Sequence, residues 1–403
     1  HLPGVKAGLV LLVGLGEGKE TGLQTIRNAA GVAARAAVGM QASRLAVVVP
    51  AAKLINFDDR TFARCFAEGC GMATSPIGEL KTGKKQPGLR SLAFLADKPR
   101  ARDRRAGCAE ADANLAGCLL TRELVNLPPN ILTPAGMAAR ARAMARREGL
   151  RCKVLLPAEL KKLKMGGLLG VGQGSTNPPR LIVLEHRARS GAKAPRIALV
   201  GKGITFDTAG ISLKPGAGMD LMKSDMGGAA AVLGAALIVA RRQLDVHLTV
   251  VVPAAENMPD GNAVRPADVI TRANGKTVEI LNTDAAGRLI LGDALWYAGR
   301  GKPGTIIDAA TLTGACVVAL GSYFAGLMGN SGEVIDALRQ AGGETFERVW
   351  HLPLVDEHRE EVKGTWSDLK NLGKLREGGA LSAGAFLQNF VDDETAWAHL
   401  DIA

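Results

Sequence analysis

The feature that most constrains this chain is a short apolar run that passes straight into a Gly-rich polar loop and then into an apolar helix. Ile197-Ala-Leu-Val-Gly-Lys-Gly-Ile-Thr-Phe-Asp207 carries it most clearly. It continues through Thr208–Lys214 and Met219–Asp225 to Gly227, Gly228 and an apolar helical stretch. Further strand-like runs are Lys153–Leu156, Leu181–Glu185, Leu248–Pro253, Val278–Leu281, Thr305–Asp308 and Ala396–Ile402. Helical patterns at Gly227–Arg242, Leu291–Ala298, Gly332–Ala341 and Ser382–Asn389 lie among them. Such alternation predicts an α/β fold with a largely parallel sheet covered by helices on both faces.

The 403-residue length exceeds one small domain. A smaller N-terminal α/β domain is expected over residues 1–125. In it Gly8–Gly14 reads as a buried strand, Thr21–Gln41 as a helix and Arg44–Val49 as a strand. The breaker cluster Asn126-Leu-Pro-Pro-Asn-Ile-Leu-Thr-Pro134 marks the joint. Thr133 before Pro134 starts a helix to Gly149, so 126–150 reads as linker and connecting helix, and 151–403 as the second domain.

Composition narrows the function. With 47% apolar and 22% charged residues, the chain can bury a sizeable core, which rules out disorder throughout. The six cysteines form no CxxC pair, which argues against a zinc ribbon or disulfide scaffold and for a reducing compartment. No run reaches the roughly 18 apolar residues of a membrane span. The net charge of +11 is partly concentrated in residues 81–105, where nine basic side chains face Asp97 and Asp103. With only 4% aromatics in the chain, that stretch reads as a solvated surface around a Ser91–Ala96 strand rather than a nucleic-acid platform.

Polar ligands of open α/β sheets bind beyond the carboxyl ends of the strands. Three strand ends here are unusually polar: the one leading to Lys202 and Asp207, the one ending Asn282-Thr-Asp-Ala-Ala-Gly-Arg288, and Thr305-Ile-Ile-Asp-Ala-Ala-Thr-Leu-Thr-Gly314. Asp207, Asp225 and Asp284 are hard oxygen donors for a divalent cation. Lys202, Lys214 and Arg288 can offset charge and hold a polarised substrate. Each has an ordinary alternative as a cap, turn former or solvated cation; together they predict an oxygen-ligand metal site. The histidines add no ligand spacing, and His399, between Trp397-Ala398 and Leu400, reads as a core residue.

At these residues the chain resembles the leucyl aminopeptidase (cytosol aminopeptidase) family of dinuclear metallo-exopeptidases. The resemblance rests on Val200–Pro215, Met219–Ala230, Asn282–Leu289 and Asp308–Ala315. It extends over Val125–Pro134, Gly172–Ser175 and Ala398–Ala403. It implies two divalent ions, zinc or manganese, with Lys202 as a neutral-amine ligand, Asp207 bridging, and Asp225 and Asp284 binding one ion each. Lys214 would stabilise the oxyanion of the scissile carbonyl. Arg288 would hold a bicarbonate acting as general base. Met222, Thr311, Leu312 and Gly314 would line the pocket for the first side chain of a short peptide. The resemblance also implies a homo-hexamer or other assembly inside the cell, in cytoplasm or an organelle matrix.

One departure cuts against activity. The family has a metal-bridging Glu in Asn-Thr-Asp-Ala-Glu-Gly-Arg, and here that position is Ala286. Its loss removes a ligand from each ion, so this chain is expected to be weakly active or inactive. The alternative is a non-catalytic paralogue, a pseudoenzyme serving as a structural or regulatory component. A second departure is Ala209, where the family has Gly. Either an introduced substitution or natural divergence accounts for Ala286, and Ala209 beside it favours divergence.

Overall fold

The protein is described from a computed structural model covering residues 8–17, 21–50, 57–76, 80–83, 88–95, 100–374 and 377–403. It divides into two compact units, residues 1–119 and 120–403.

In the first unit, α1 (Leu23–Gly39) packs on α2 (Asp59–Thr74), and β1 (Arg44–Val48) pairs in parallel with β2 (Ser91–Leu95). The helices meet because both present small and apolar residues at helical spacing. Ile26, Ala30, Ala33 and Ala34 bury against Phe62, Cys65, Phe66 and Cys70. The Asp58 carboxylate caps α2 by accepting from the Thr61 amide at 2.6 Å. The buried strand expected at Gly8–Gly14 is absent: residues 8–17 have no regular structure, and Leu9, Val10 and Leu12 are exposed. An apolar run without a neighbouring strand cannot satisfy its backbone groups in a ladder.

The basic stretch is only partly described, since Lys84, Lys85, Ala96, Asp97 and Lys98 lie outside the described residues. Arg104 departs from the reading of a solvated surface, whereas Lys81, Arg90, Arg100, Arg102 and Arg105 are exposed as that reading expects. Arg104 is buried, hydrogen-bonds the Leu95 carbonyl and pairs with Asp59 at 3.3 Å.

The helix α3 (Ala101–Asn126) leads to α4 (Pro134–Glu148). Thr133 Oγ1 accepts from the Gly136 amide, Pro134 opens the helix, and Gly149 closes it at φ 74°. There follow β3 (Arg151–Leu155), α5 (Pro157–Lys162), α6 (Gly166–Gly172), β4 (Arg180–His186), β5 (Arg196–Gly201), β6 (Gly203–Asp207), α7 (Gly227–Arg242) and β7 (His247–Asn257). Next come β8 (Val269–Thr271), β9 (Thr277–Glu279), α8 (Ala286–Gly299), β10 (Thr305–Ala310), α9 (Gly314–Leu320), β11 (Ala325–Gly329) and α10 (Gly332–Thr345). The chain ends with β12 (Val349–His351), α11 (Asp356–Glu361), β13 (Leu369–Lys370), α12 (Gly379–Gln388) and β14 (Ala396–Asp401).

The main sheet runs β12-β11-β14-β10-β5-β7-β4-β3, with β6 also paired to β7. Its centre, β14-β10-β5-β7, is parallel, whereas β3-β4, β4-β7 and β11-β14 are antiparallel, so the sheet is mixed. The expected strand at Val278–Leu281 shortens to β9 and joins a separate small sheet with β8 and β13. The expected helix at Leu291–Ala298 begins earlier, at Ala286, which places Ala286 and Arg288 on its first turn rather than in a loop.

The helical stretch Met219–Arg242, 24 residues long, is the one among the described residues long and apolar enough to cross a membrane by length and composition. Here α7 packs instead on β5, β10 and β7 and buries Val232, Leu233 and Leu237. The core between the sheet and α8 gathers Val200, Val251, Leu291, Leu295, Ile306 and Trp397.

Candidate active site

The polar ends of β5, β6, β10 and the turn before α8 converge. Close backbone approach makes this possible. A Cβ on Gly228 would lie 1.9 Å from the Ala309 carbonyl oxygen, so only glycine lets the start of α7 seat against β5 and β10. The Ala229 amide then donates to the Lys202 carbonyl at 2.9 Å.

Lys202 and Asp225 form the buried half of the site. Lys202 Nζ donates to Asp225 Oδ1 at 2.6 Å and to the Thr311 carbonyl at 2.5 Å. Thr311 Oγ1 donates to the same Asp225 oxygen at 2.8 Å. Asp225 Oδ2 is buried without a hydrogen-bond partner. Burial pushes this carboxyl up to about 7 despite the pull of the Lys202 ammonium.

Lys214, Asp207 and Asp284 form the other half. Lys214 Nζ contacts Asp207 Oδ2 at 2.8 Å and also pairs with Asp284 Oδ1. Burial works against its charge, but Asp207 and then Asp284 hold the ammonium above its ordinary value. Asp207 is buried, and its Oδ1 accepts from the Ala209 amide at 2.9 Å and from Asn257 Nδ2 at 2.8 Å. Asp284, by contrast, has a side chain 45% exposed.

Ala209 has φ 70°, the left-handed region that strains an alanine. Its carbonyl accepts from Thr283 Oγ1 at 2.6 Å, tying the Asp207 loop to the Asp284 loop. Ala286 is 1% exposed, within the core that faces α8. A Cβ on the next residue, Gly287, would touch Lys202 Nζ at 2.9 Å and Leu312 Cδ1 at 3.0 Å. Glu279, the other carboxylate on the incoming strand, is committed elsewhere and accepts from the Thr365 amide at 2.6 Å.

Arg288 is buried, donates from Nη1 to the Asn371 carbonyl at 3.0 Å, and leaves Nε without a partner. Burial lowers its guanidinium to about 10, opposed by Asp401 and Asp284, so it stays charged at neutral pH. Thr311 and Leu312 are half-buried, and Gly314 is exposed with open space where a Cβ would stand. Met222 is half-buried on the segment leading to Asp225.

The expected cation and carboxylate residues therefore come together, but as lysine–carboxylate pairs. Among the described residues no three His, Cys, Asp or Glu side chains form a ready ligand cluster. The donor set still suits a hard or borderline divalent ion, because Asp225 presents a buried oxygen that nothing satisfies. Sequence reading passed over Asn257, although it too ends an apolar strand, β7, and its amide holds Asp207. It placed His399 correctly in the core.

Residues 119–403 match the model of the cytosol aminopeptidase family, catalytic domain, and residues 1–84 match that family's N-terminal domain. The chain is 45% identical over 404 residues to a cytosol aminopeptidase of Pseudomonas aeruginosa, covering 100% of this chain and 81% of that one. Among solved structures it is similar to the bottromycin maturation enzyme BotP, with TM-score 0.87 at 36% identity over 97% of this chain and 82% of that one. The same enzyme in complex with Mn gives TM-score 0.86 at 35% identity, with the same coverage. With both of its units matched to one family, the chain belongs to the cytosol aminopeptidase family.

Proposed function

We propose that this chain binds a divalent ion and the N-terminus of short peptides, and that alanine at 286 leaves peptide hydrolysis weak or absent. The observation that carries the reading is the Asp225 carboxylate, buried on Lys202 with one oxygen unsatisfied. A buried carboxylate paired on one oxygen only still lacks a donor or cation for the other, and a divalent ion would supply it.

Lys202, Asp207 and Asp225 would hold one ion. Asp207 and Asp284 alone remain for a second, which is too few donors for a tight site. Zinc and manganese both suit carboxylate and amine donors. A divalent ion held there would contribute Lewis acidity toward a water and toward a free amino group. The chain's own residues supply the rest. Lys214 keeps its ammonium beside the centre and can stabilise a developing oxyanion. Arg288 offers a charged donor with an unpaired Nε–H, suited to a bicarbonate or similar small anion as proton acceptor. Met222, Thr311, Leu312 and Gly314 would bound the pocket for the first side chain.

The second reading is a pseudoenzyme within a homo-hexamer or other intracellular assembly. It is favoured by a second departure from the family pattern at the same site: Ala209 keeps a strained backbone beside Asp207.

Metal titration with leucine-amide hydrolysis, on the wild type and on Ala286→Glu, decides between these. The wild type should take up one Mn²⁺ with little turnover. Ala286→Glu should take up two and hydrolyse at least about 10-fold faster, since even an outer-sphere change costs about 10–100-fold. Two tightly bound ions and undiminished turnover in the wild type would overturn the reading. No turnover in either protein leaves only the pseudoenzyme.

A further inference from the structure

Strand β14 alternates Trp397, His399 and Asp401 on one face, as the period of a strand requires. All three are fully buried. Its neighbour β10 is in register, with Asp308 opposite His399 and Ala310 opposite Asp401. The Asp308 carboxylate accepts from Trp397 Nε1 at 2.8 Å and from His399 Nδ1 at 2.6 Å. Two strands are thus cross-linked by side chains as well as by their ladder.

Asp401 extends that cross-link past the end of β10. Its Oδ1 accepts from the Leu312 amide at 3.1 Å and the Thr313 amide at 3.3 Å, and its Oδ2 accepts from Thr313 Oγ1 at 2.7 Å. The Ala403 amide adds a fourth donor at 3.3 Å. Asp401 forms no ion pair among the described residues, so its charge is met by these donors and by the nearby Arg288 and His399. A buried carboxylate gripped in this way fixes the backbone it touches. That backbone is the turn after Thr311, whose carbonyl takes Lys202 Nζ and whose hydroxyl holds Asp225.

We propose that Asp401 is a positioning residue of the site: by gripping Leu312 and Thr313 it sets the Thr311 that holds Lys202 and Asp225, with Asp308 and His399 as its buried support. This rests on the proposed metal-binding role of Lys202 and Asp225. A merely structural Asp401 would leave cation affinity unchanged, whereas a positioning Asp401 alters it.

The test uses full-length Asp401→Asn, Thr313→Val and Thr313→Ser. Mn²⁺ affinity is read by calorimetry, folding by thermal melting, and the Lys202–Asp225 contact by crystallography. Asp401→Asn keeps the shape and removes the charge. Thr313→Val removes the hydroxyl and Thr313→Ser restores it, so one of the two sites remains informative if the other variant fails to fold. The expected result is a loss of Mn²⁺ affinity of about 10–100-fold for Asp401→Asn and Thr313→Val, with Thr313→Ser close to wild type. In crystals of the weakened variants, Lys202 Nζ should leave Asp225. A folded Asp401→Asn or Thr313→Val with wild-type affinity and an intact 2.6 Å contact overturns the inference. If wild type binds no Mn²⁺, the metal-site reading fails by itself, and the crystallographic arm still decides whether Asp401 places the pair.

Discussion

The two halves of the site hold the same kinds of group under opposite conditions. Lys202 and Asp225 have side chains 5% and 8% exposed and are locked to the backbone at the exit of β10. Lys214 and Asp284 have side chains 22% and 45% exposed and stand on loops joined mainly through Thr283. Removing one partner of a charge pair costs much more in the first environment than in the second, because it strands the other charge away from water. The carboxylate missing at Ala286 therefore bears unequally on the two halves. The buried half keeps its donors without it, while the open half is left with Asp284 and a shared Asp207.

The largest expected break in that comparison is in cation affinity. Asp225→Asn should weaken Mn²⁺ binding by more than about 100-fold, beyond the range typical of outer-sphere changes. Asp284→Asn should cost about 10-fold or less, because water already competes for an exposed carboxylate. Calorimetric titration of both variants is the check, and equal losses would mean that the two halves are not different in kind.

A smaller effect sharpens the same contrast through pH. The Asp225 carboxyl is raised to about 7 in the folded chain from an ordinary value of 3.8, chiefly by burial. A group raised on folding gives stability that is whole below the unfolded value and is lost as pH climbs through the folded one. The metal-stripped protein should therefore be less stable at pH 8 than at pH 5.5, by an amount on the order of 2 kcal/mol, and should melt at a lower temperature there. His399 is held above its ordinary value by Asp308 despite its burial, and so adds a slope of the same sign. Asp225→Asn isolates the aspartate's share: the slope should shrink in that variant and in wild type saturated with Mn²⁺. An unchanged slope in both would put the pH dependence elsewhere.

How much of this was legible in the sequence follows the same division. The strands feeding the buried half announce themselves as apolar runs ending in Gly and charge, and β5, β10, β14 and α7 fall close to where periodicity puts them. Residues 8–14 misled for the same reason: apolar alternation says that a segment can be buried, not that a partner strand exists. The lysine–carboxylate pairing was out of reach, because Lys202 meets Asp225 across 23 positions and Lys214 meets Asp284 across 70. Asp401 was unreadable too, since its partners Leu312 and Thr313 lie nearly ninety residues away.

The smallest test concerns the loop shared by both halves. Ala209 and Ala267 each sit in the left-handed region, at φ 70° and 78°. Ala209 is fully buried beside Asp207, whereas Ala267 is exposed. Glycine at either position relieves about 1 kcal/mol of backbone strain and gives back part of it through a freer unfolded chain. At Ala267 nothing else changes, so Ala267→Gly should raise the melting temperature by about 1–2 °C. At Ala209 the variant also loses a buried methyl of about 0.8 kcal/mol, so Ala209→Gly should leave the melting temperature nearly unchanged. Its effect should appear instead in Mn²⁺ affinity, because the Ala209 amide orients Asp207 Oδ1 and its carbonyl ties Thr283 to the Asp284 loop. A relaxed loop should tighten Mn²⁺ binding a few-fold in Ala209→Gly and leave it untouched in Ala267→Gly. The same few-fold change in both would show that strain at Ala209 is ordinary surface strain, with no bearing on how Asp207 is presented.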